Sequence, residues 1–555
     1  MDPTRRSFLA GAAGAVAAAT LSGCAVKYVS ATGDSSTVIT SSARELIVAV
    51  SALAPSLDGV IDGTGLTLQA FELNANLQAG LVRNPYVPGE TPGTVIQDFN
   101  RYVPYVAKSY DVSDDGLLYT FHLREGLKSP LGNTITADDV VYSFQRKWAV
   151  PTYTRSSWGD FKGPAAIKKT GDYTVTFELP SAGFGLTFLG LLANLTGHVY
   201  DSTALRKHAT RSDPWTLTWS ADNGGWGLGP YYMSSQTPDQ EMALTANPHY
   251  AYGKPPIDTV ILQVVADAGT RAALVATGAA DMGEDILAAD QAKLSGHRGV
   301  IAPVVKNPIE YSDLTLVTNK APFNDVKVRQ ALAKAIPYEQ IRQQVYAGRA
   351  VPMIGNINPA TDGYSTAGLP RLTYDPAAAK SMLAKAGHPG GLPFTLTVSS
   401  ATSDCVDASV LIKSYAANAG FDVTIKQLSA AAFATARAEA TEEAIIYLNR
   451  AQVQTPTYSC EAFFQPGTLS NPSRWGDTMN KEFWTYADAA DTLPSPLGAI
   501  AGKLWEKAET ILIDSSTEIF VCALQPTQIY RDDIRGFAYR SENAIDFGNI
   551  TFTSH

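Results

Sequence analysis

Cysteine is scarce in this 555-residue chain, which has only Cys24, Cys405, Cys460 and Cys522. No two of them form a Cys-x-x-Cys pair, so zinc-ribbon and thioredoxin-like arrangements are excluded. The histidines, at 122, 198, 208, 249, 297, 388 and 555, include no His-Glu-x-x-His spacing. The helix face that zinc peptidases need is therefore absent. Also missing are a Gly-x-Ser-x-Gly nucleophile elbow and a Gly-Lys-Ser/Thr phosphate loop. Carboxylates are plentiful, so a glycosidase-type pair is the hydrolytic arrangement left open.

Positive charge is in deficit, with 43 Lys and Arg against 53 Asp and Glu, a net charge of −10. Removing residues 1–23 takes away Asp2, Arg5 and Arg6 and makes it −11. Such a balance argues against nucleic acid as a partner, because phosphate binding needs a basic surface. Past Cys24 no apolar run approaches the length of a membrane-spanning helix. The 45% hydrophobic and 17% charged composition is that of a globular protein. The length suffices for two or three domain-sized cores.

The N-terminus carries the first positive signal. Arg5 and Arg6 precede an Ala- and Gly-rich run from Ala10 to Thr20, followed by Leu21-Ser22-Gly23-Cys24. A basic start before a short apolar stretch is the layout of an export signal, and paired arginines suit the twin-arginine route for folded proteins. Leu-Ser-Gly-Cys resembles the bacterial lipobox, in which the cysteine thiol receives a diacylglycerol. Cys24 is thus the expected lipidation site, and the acyl chains would hold the protein to the outer side of the cell membrane. Residues 25–42, rich in Ser, Thr, Gly and Ala, read as a flexible tether. In that compartment one disulfide with one free thiol, or three buried free thiols, are both open for Cys405, Cys460 and Cys522.

Beyond the tether, strand-like and helix-like segments alternate, which is an α/β pattern. Strands are expected at 45–51, 118–123, 173–179, 259–265, 394–398 and 423–427. Thr136-Ala-Asp-Asp139 is a capping-box start. Asp375-Pro376 places a capping carboxylate before proline at the first helical position, and Gly387 suits the helix end. A helix over 270–277 closes at Gly278, and another over 326–336 stops before Pro337.

These segments resemble, in order, those of the periplasmic dipeptide-, oligopeptide- and nickel-binding proteins of ABC importers, solute-binding protein family 5. The stretch Ala107-Lys-Ser-Tyr-Asp-Val-Ser-Asp-Asp-Gly-Leu-Leu-Tyr-Thr-Phe-His-Leu-Arg-Glu-Gly-Leu-Lys128, followed by Thr136–Phe144, carries the likeness most specifically. Gly229-Pro230-Tyr231, Pro322–Leu332, Tyr374–Lys380 and Asp546-Phe547-Gly548 continue it. The resemblance implies an α/β, two-lobed periplasmic-binding-protein type II fold with an extra subdomain on the first lobe. Its expected divisions are a signal over 1–23, a tether over 24–43, a first lobe from 44–310 and 520–555, and a second lobe over 311–519. The subdomain falls at about 85–200. The resemblance also implies a monomer, no cofactor or metal, a small-molecule ligand enclosed by hinge closure, and permease and ATPase partners. A ligand-presenting partner of a signalling sensor would share this fold, and an exported hydrolase is the enzymatic alternative.

In peptide-binding members of the family a Trp-x-Ala-Asp-Tyr-Pro-Asp-Pro-like segment supplies an acid to the ligand's ammonium. The aligned stretch here is Asn449-Arg-Ala-Gln-Val-Gln-Thr-Pro456. Asn449 stands at the Trp position and Gln452 at the acid position, with Arg450 beside them. A neutral amide cannot balance a buried ammonium, and Arg450 could clamp a carboxylate or phosphate. The expected solute is therefore a neutral or anionic peptide-like, amino-acid-conjugate or sugar-type compound. Trp226 and Tyr231 could stack on such a ligand or pack between lobes, Glu72 could face the cleft or solvent, and Asp58 matches a structural position of the family.

Overall fold

A computed structural model describes residues 45–59, 68–150, 155, 157–159, 161–466, 471–493, 495–542 and 544–553. The expected signal, Cys24 and tether lie outside the described residues. Two mixed sheets dominate. The first runs in the order Tyr231–Thr237, Glu241–Ala246, Thr259–Val264, Glu45–Val50, Met282–Gly283, Ile529–Arg531, Val300–Ile301. Glu45–Val50 lies parallel to Thr259–Val264, with Glu45 opposite Thr259 and Val50 opposite Val264. The second sheet runs Ala350–Val351, Glu518–Leu524, Tyr311–Leu316, Ala444–Asn449, Leu392–Ser399, Phe421–Leu428.

The chain therefore leaves the first sheet after Ile301 and returns to it only after Leu524. Glu518–Leu524 is a fully buried strand inside the second sheet and spans the boundary expected at 519/520. The return point falls instead in the short segment before Ile529. This is the two-lobed type II periplasmic-binding-protein architecture expected above.

Local chemistry explains most element boundaries. The Thr136 side chain caps the helix Ala137–Ala149, and the Asp139 carboxylate returns to the Thr136 amide at 2.7 Å, closing the capping box. Asp375 caps Pro376–Lys385 through the Ala378 amide at 2.9 Å. The helix expected from residue 270 begins earlier, at Ala268–Thr277. Asp267 is its cap, its carboxylate accepting from the Thr270 amide at 2.7 Å. Gly278, at φ 79°, ends that helix in the left-handed region.

The extra subdomain is a four-stranded antiparallel sheet, Ala107–Val112, Leu118–Leu123, Thr174–Glu178 and Ile167–Gly171. Phe121, Phe144, Trp158, Phe161, Phe177 and Phe188 form its interior, with ring centroids 5.2–6.4 Å apart. Aromatic pairs at these spacings contribute about 0.5–1.5 kcal/mol each beyond burial. A buried ion pair joins the subdomain to the first lobe. Arg146, on the capped helix, donates to both oxygens of Asp58, to Ser220 Oγ at 2.9 Å and to the Trp215 carbonyl at 2.8 Å. Asp58 and Arg146 are both wholly buried, the structural role expected of Asp58. Cys405, Cys460 and Cys522 are buried free thiols. No described helix is long and apolar enough to cross a membrane.

Candidate functional site

The second-sheet strand Ala444–Asn449 ends where residues 450–455 turn towards the subdomain. The helix Pro456–Phe464 then starts, capped by Thr455 through the Tyr458 amide at 3.3 Å. Proline at its first position costs no hydrogen bond, because that amide would be unpaired anyway. This loop meets the subdomain helix Gly185–Ala193. Thr455 Oγ1 lies 3.0 Å from Thr187 Oγ1, and Asn194 Nδ2 donates to the Gln452 carbonyl at 3.1 Å. A Cβ on Gly190 would stand 2.3 Å from Val453 Cγ1, so the absence of a side chain permits the close approach.

Gln452 borders a small enclosed cavity of about 10 Å³ shared with Asn84, Tyr102, Asn194, Gln454 and Glu542. Its Oε1 is buried and has no hydrogen-bond partner among the described residues. The lining thus joins first-lobe and second-lobe residues around amides, a phenol and one carboxylate. Glu542 lies 3.4 Å from Arg540, which also reaches Tyr86 Oη at 3.1 Å. The cavity is polar and sits where the two lobes meet.

The charges nearby are already matched to one another. Arg450 pairs with Glu310 at 2.9 Å, and its guanidinium lies 5.2 Å from the Phe71 ring centroid. Burial raises the Glu310 carboxyl, and Arg450 counters that rise. Asp285 accepts from Ser51 Oγ at 2.7 Å and Gln69 Nε2 at 3.1 Å. Behind them Glu72 and Glu284 are buried together. Desolvation raises both, and the Glu72 carboxyl pushes Glu284 well above the usual carboxylate range. Among the described residues no cluster of His, Cys, Asp and Glu could hold a metal ion.

A family model of bacterial extracellular solute-binding proteins, family 5 (middle), matches residues 101–471. The chain belongs to that family. Heme-binding protein A of Haemophilus influenzae is 31% identical over 304 residues, covering 52% of this chain and 54% of that protein. The dipeptide-binding protein of Escherichia coli is 31% identical over 314 residues, covering 53% and 56%. The chain thus spans about half the length of these two relatives. Di/tripeptide-binding protein 4 of Pseudomonas aeruginosa is 25% identical over 493 residues, covering 83% and 87%. Among solved structures, the periplasmic binding protein DppA from Helicobacter pylori in complex with the peptide STSA superposes with a TM-score of 0.77. It is 22% identical, over 92% of this chain and 98% of that one. AgaA of A. tumefaciens R10 in complex with agropinic acid gives 0.75 at 20% identity, over 92% and 99%.

Within this family 5 chain the expected site residues separate into two groups. Gln452 is at the cavity. Asn449 is just behind it, with Nδ2 3.3 Å from Tyr447 Oη and Oδ1 accepting from the Arg450 amide at 2.9 Å. Arg450 faces the interlobe region but is held by Glu310, so it is not a free anion clamp. The other three lie elsewhere. Trp226 is buried against Tyr200, its indole nitrogen donating to the Asn223 carbonyl at 2.5 Å. Tyr231 is fully buried in the first-lobe core, its hydroxyl donating to the Ile257 carbonyl at 3.1 Å. Glu72 faces neither solvent nor an open cleft, and its carboxylate accepts from the Ile545 amide at 3.1 Å. Trp226 and Tyr231 take the packing alternative that was open for them beside ligand contact, and Glu72 takes neither the cleft nor solvent. Sequence reasoning missed Glu310, Tyr102, Asn194 and Glu542, which approach the loop only through the fold.

Proposed function

We propose that this chain is an extracytoplasmic substrate-binding lipoprotein that captures a small solute between its lobes and delivers it to an ABC importer. The family match over residues 101–471, with residues of both lobes meeting around Gln452, carries this reading. Gln452 presents a neutral amide where the resemblance to peptide binders places an acid, and Glu542 is the one carboxylate in the lining there. A hinge-closing pair of lobes gains extra contacts with a ligand only in the closed state, which is how binding energy becomes a signal to a permease. The solute is a peptide-like, amino-acid-conjugate or sugar-type compound whose free ammonium, if it has one, does not sit at Gln452. The relatives' range supports the breadth, since similar proteins carry the names of dipeptides, haem and agropinic acid. Lipid on Cys24 anchors the protein outside the cell, the permease and its ATPases are its partners, and it acts as a monomer.

Mass spectrometry of the compound released from the purified protein tests this directly. The expected result is one small solute, recovered chemically unchanged and raising the melting temperature when added back. A solute consumed on incubation would instead make the protein an enzyme. Tight binding of ordinary dipeptides through their free amino termini would overturn the role given to Gln452.

A further inference from the structure

Two arginines converge on one exposed tyrosine where the subdomain meets the first lobe. Arg83 ends the strand Val82–Arg83, which pairs with Val103–Pro104. Arg124 follows the subdomain strand Leu118–Leu123, and Tyr252 stands in the turn between Glu241–Ala246 and Thr259–Val264. The Arg83 guanidinium lies 4.1 Å from the Tyr252 ring centroid and 5.3 Å from that of Tyr105, and Arg124 lies 5.3 Å from Tyr252. Tyr252 is fixed by its hydroxyl, which donates to the Pro104 carbonyl at 2.5 Å, yet 43% of the residue is exposed.

Ring faces hold a guanidinium in place but leave its in-plane N–H groups unused. Arg83 is half-buried and makes no hydrogen bond or ion pair with any described residue, and its Nε is sealed from solvent. Arg124 donates through Nε to the Tyr105 carbonyl at 2.8 Å, and its terminal nitrogens bond to no described residue. A sealed N–H without an acceptor is costly until one arrives.

Among the described residues no carboxylate pairs with either arginine. Asp546, the carboxylate that acts on Tyr105 and Tyr250, accepts from Tyr86 Oη at 2.7 Å and lies 3.6 Å from Arg540. Asp258 is taken by Lys254, and Glu125, next in the chain to Arg124, forms no ion pair. Two uncompensated guanidiniums with free planar forks suit a compact anion that offers several oxygens and more than one charge.

We propose that Arg83 and Arg124 form a binding site for a phosphate group on the surface of the first lobe. The site stands apart from the cavity at Gln452, whose lining includes neither arginine. The phosphate is that of a soluble ion or ester, or of an anionic lipid headgroup, and the chemistry of recognition is the same for both.

Calorimetric titration of the purified full chain tests this, with inorganic phosphate as the probe and sodium chloride at matched ionic strength as the reference. The wild type should bind phosphate, and acetate, with its single charge, should bind more weakly. Arg83→Gln should weaken phosphate by about 10- to 100-fold, the loss expected for a charge-assisted hydrogen bond. Arg124→Gln should weaken it as well, and Arg83→Lys, which keeps the charge but not the fork, should restore part of the loss. Gln452→Ala should bind phosphate as the wild type does. Melting of each variant without ligand separates lost binding from lost folding. A wild type that binds no phosphate, glutamine variants that bind it as well as the wild type, or acetate bound as tightly as phosphate would each overturn the proposal. Vesicles of phosphatidylglycerol then distinguish the two sources, using the full chain with Cys24→Ser. Sedimentation with them that Arg83→Gln abolishes assigns the site to a lipid headgroup, and phosphate binding without such sedimentation assigns it to a soluble phosphate.

Discussion

Replacing Glu509 by glutamine should remove a defined part of the protein's pH dependence. Glu509 lies in the helix Ala499–Ser515 with no exposed surface. Its Oε2 accepts from the Asn356 amide at 2.6 Å and from Tyr364 Oη at 3.5 Å. The Asn356 side chain in turn donates to the Ser459 carbonyl at 2.6 Å and accepts from Tyr311 Oη at 3.1 Å. One carboxyl thus steadies the segment on which the helix after the Gln452 loop is seated. Burial raises its pKa from 4.5 to about 7. The fold then holds a proton that the unfolded chain releases near pH 4.5. Stability from this group is fully present below that pH and is lost as pH rises through about 7. At ~1.36 kcal/mol per tenfold in proton affinity, the whole effect is about 3 kcal/mol, and about 2–3 kcal/mol of it falls between pH 5 and pH 8. Asp313 and Glu518, also raised by burial, slope the same way, so the informative quantity is the difference between two proteins. Urea unfolding of wild type and Glu509→Gln at both pH values measures it. The wild type should lose about 2–3 kcal/mol more than the variant on going to pH 8. An identical loss in both would show that Glu509 is already ionised in the fold and would refute the argument.

The contacts around the site make further predictions. Gly190→Ala forces a Cβ into Val453 and should cost about 1–3 kcal/mol, with weaker solute binding, both readable by calorimetry. Arg146→Met leaves Asp58 buried beside Ser220 without its cation and should lower stability by about 3–5 kcal/mol in urea unfolding, whereas a loss under 1 kcal/mol would contradict the buried-pair account. Thr136→Ala removes the cap of the subdomain helix and should cost about 1 kcal/mol by the same assay. Cys24→Ser should move the protein from the membrane to the soluble fraction on cell fractionation, and retention at the membrane would rule out the lipid anchor.

Local chemistry was readable directly from the chain. Thr136 with Asp139, and Asp375 before Pro376, define helix starts through atoms a few residues apart, so no knowledge of the fold is needed. The helix expected from residue 270 starts at Ala268 because the Asp267 carboxylate reaches the Thr270 amide, which the backbone decides and the chain alone does not show. Of the candidate site, Gln452 was legible in the chain, and the fold brings it to the interlobe cavity. The electrostatics around it were not. Arg450 and Glu310 are separated by 140 positions, and nothing in either neighbourhood announces the other. Tyr231 and Trp226 show the converse error. An aromatic beside a glycine-rich turn carries the same letter whether it stacks on a ligand or fills a core, and burial alone distinguishes the two.

The late return of the chain to the first sheet has a consequence for biosynthesis. Glu518–Leu524 fills an interior place between Ala350–Val351 and Tyr311–Leu316, and Ile529–Arg531 fills one between Met282–Gly283 and Val300–Ile301. A ribosome that has reached the helix Ala499–Ser515 therefore carries two unfinished sheets, each lacking the strand next to one edge and exposing edges that invite pairing with other chains. Both sheets receive their last interior strands within residues 518–531, so both lobes are completed close together near the end of translation. Premature release before Glu518 would yield not one good lobe but two defective ones, a sharp criterion for a cell that must sort finished cargo from unfinished.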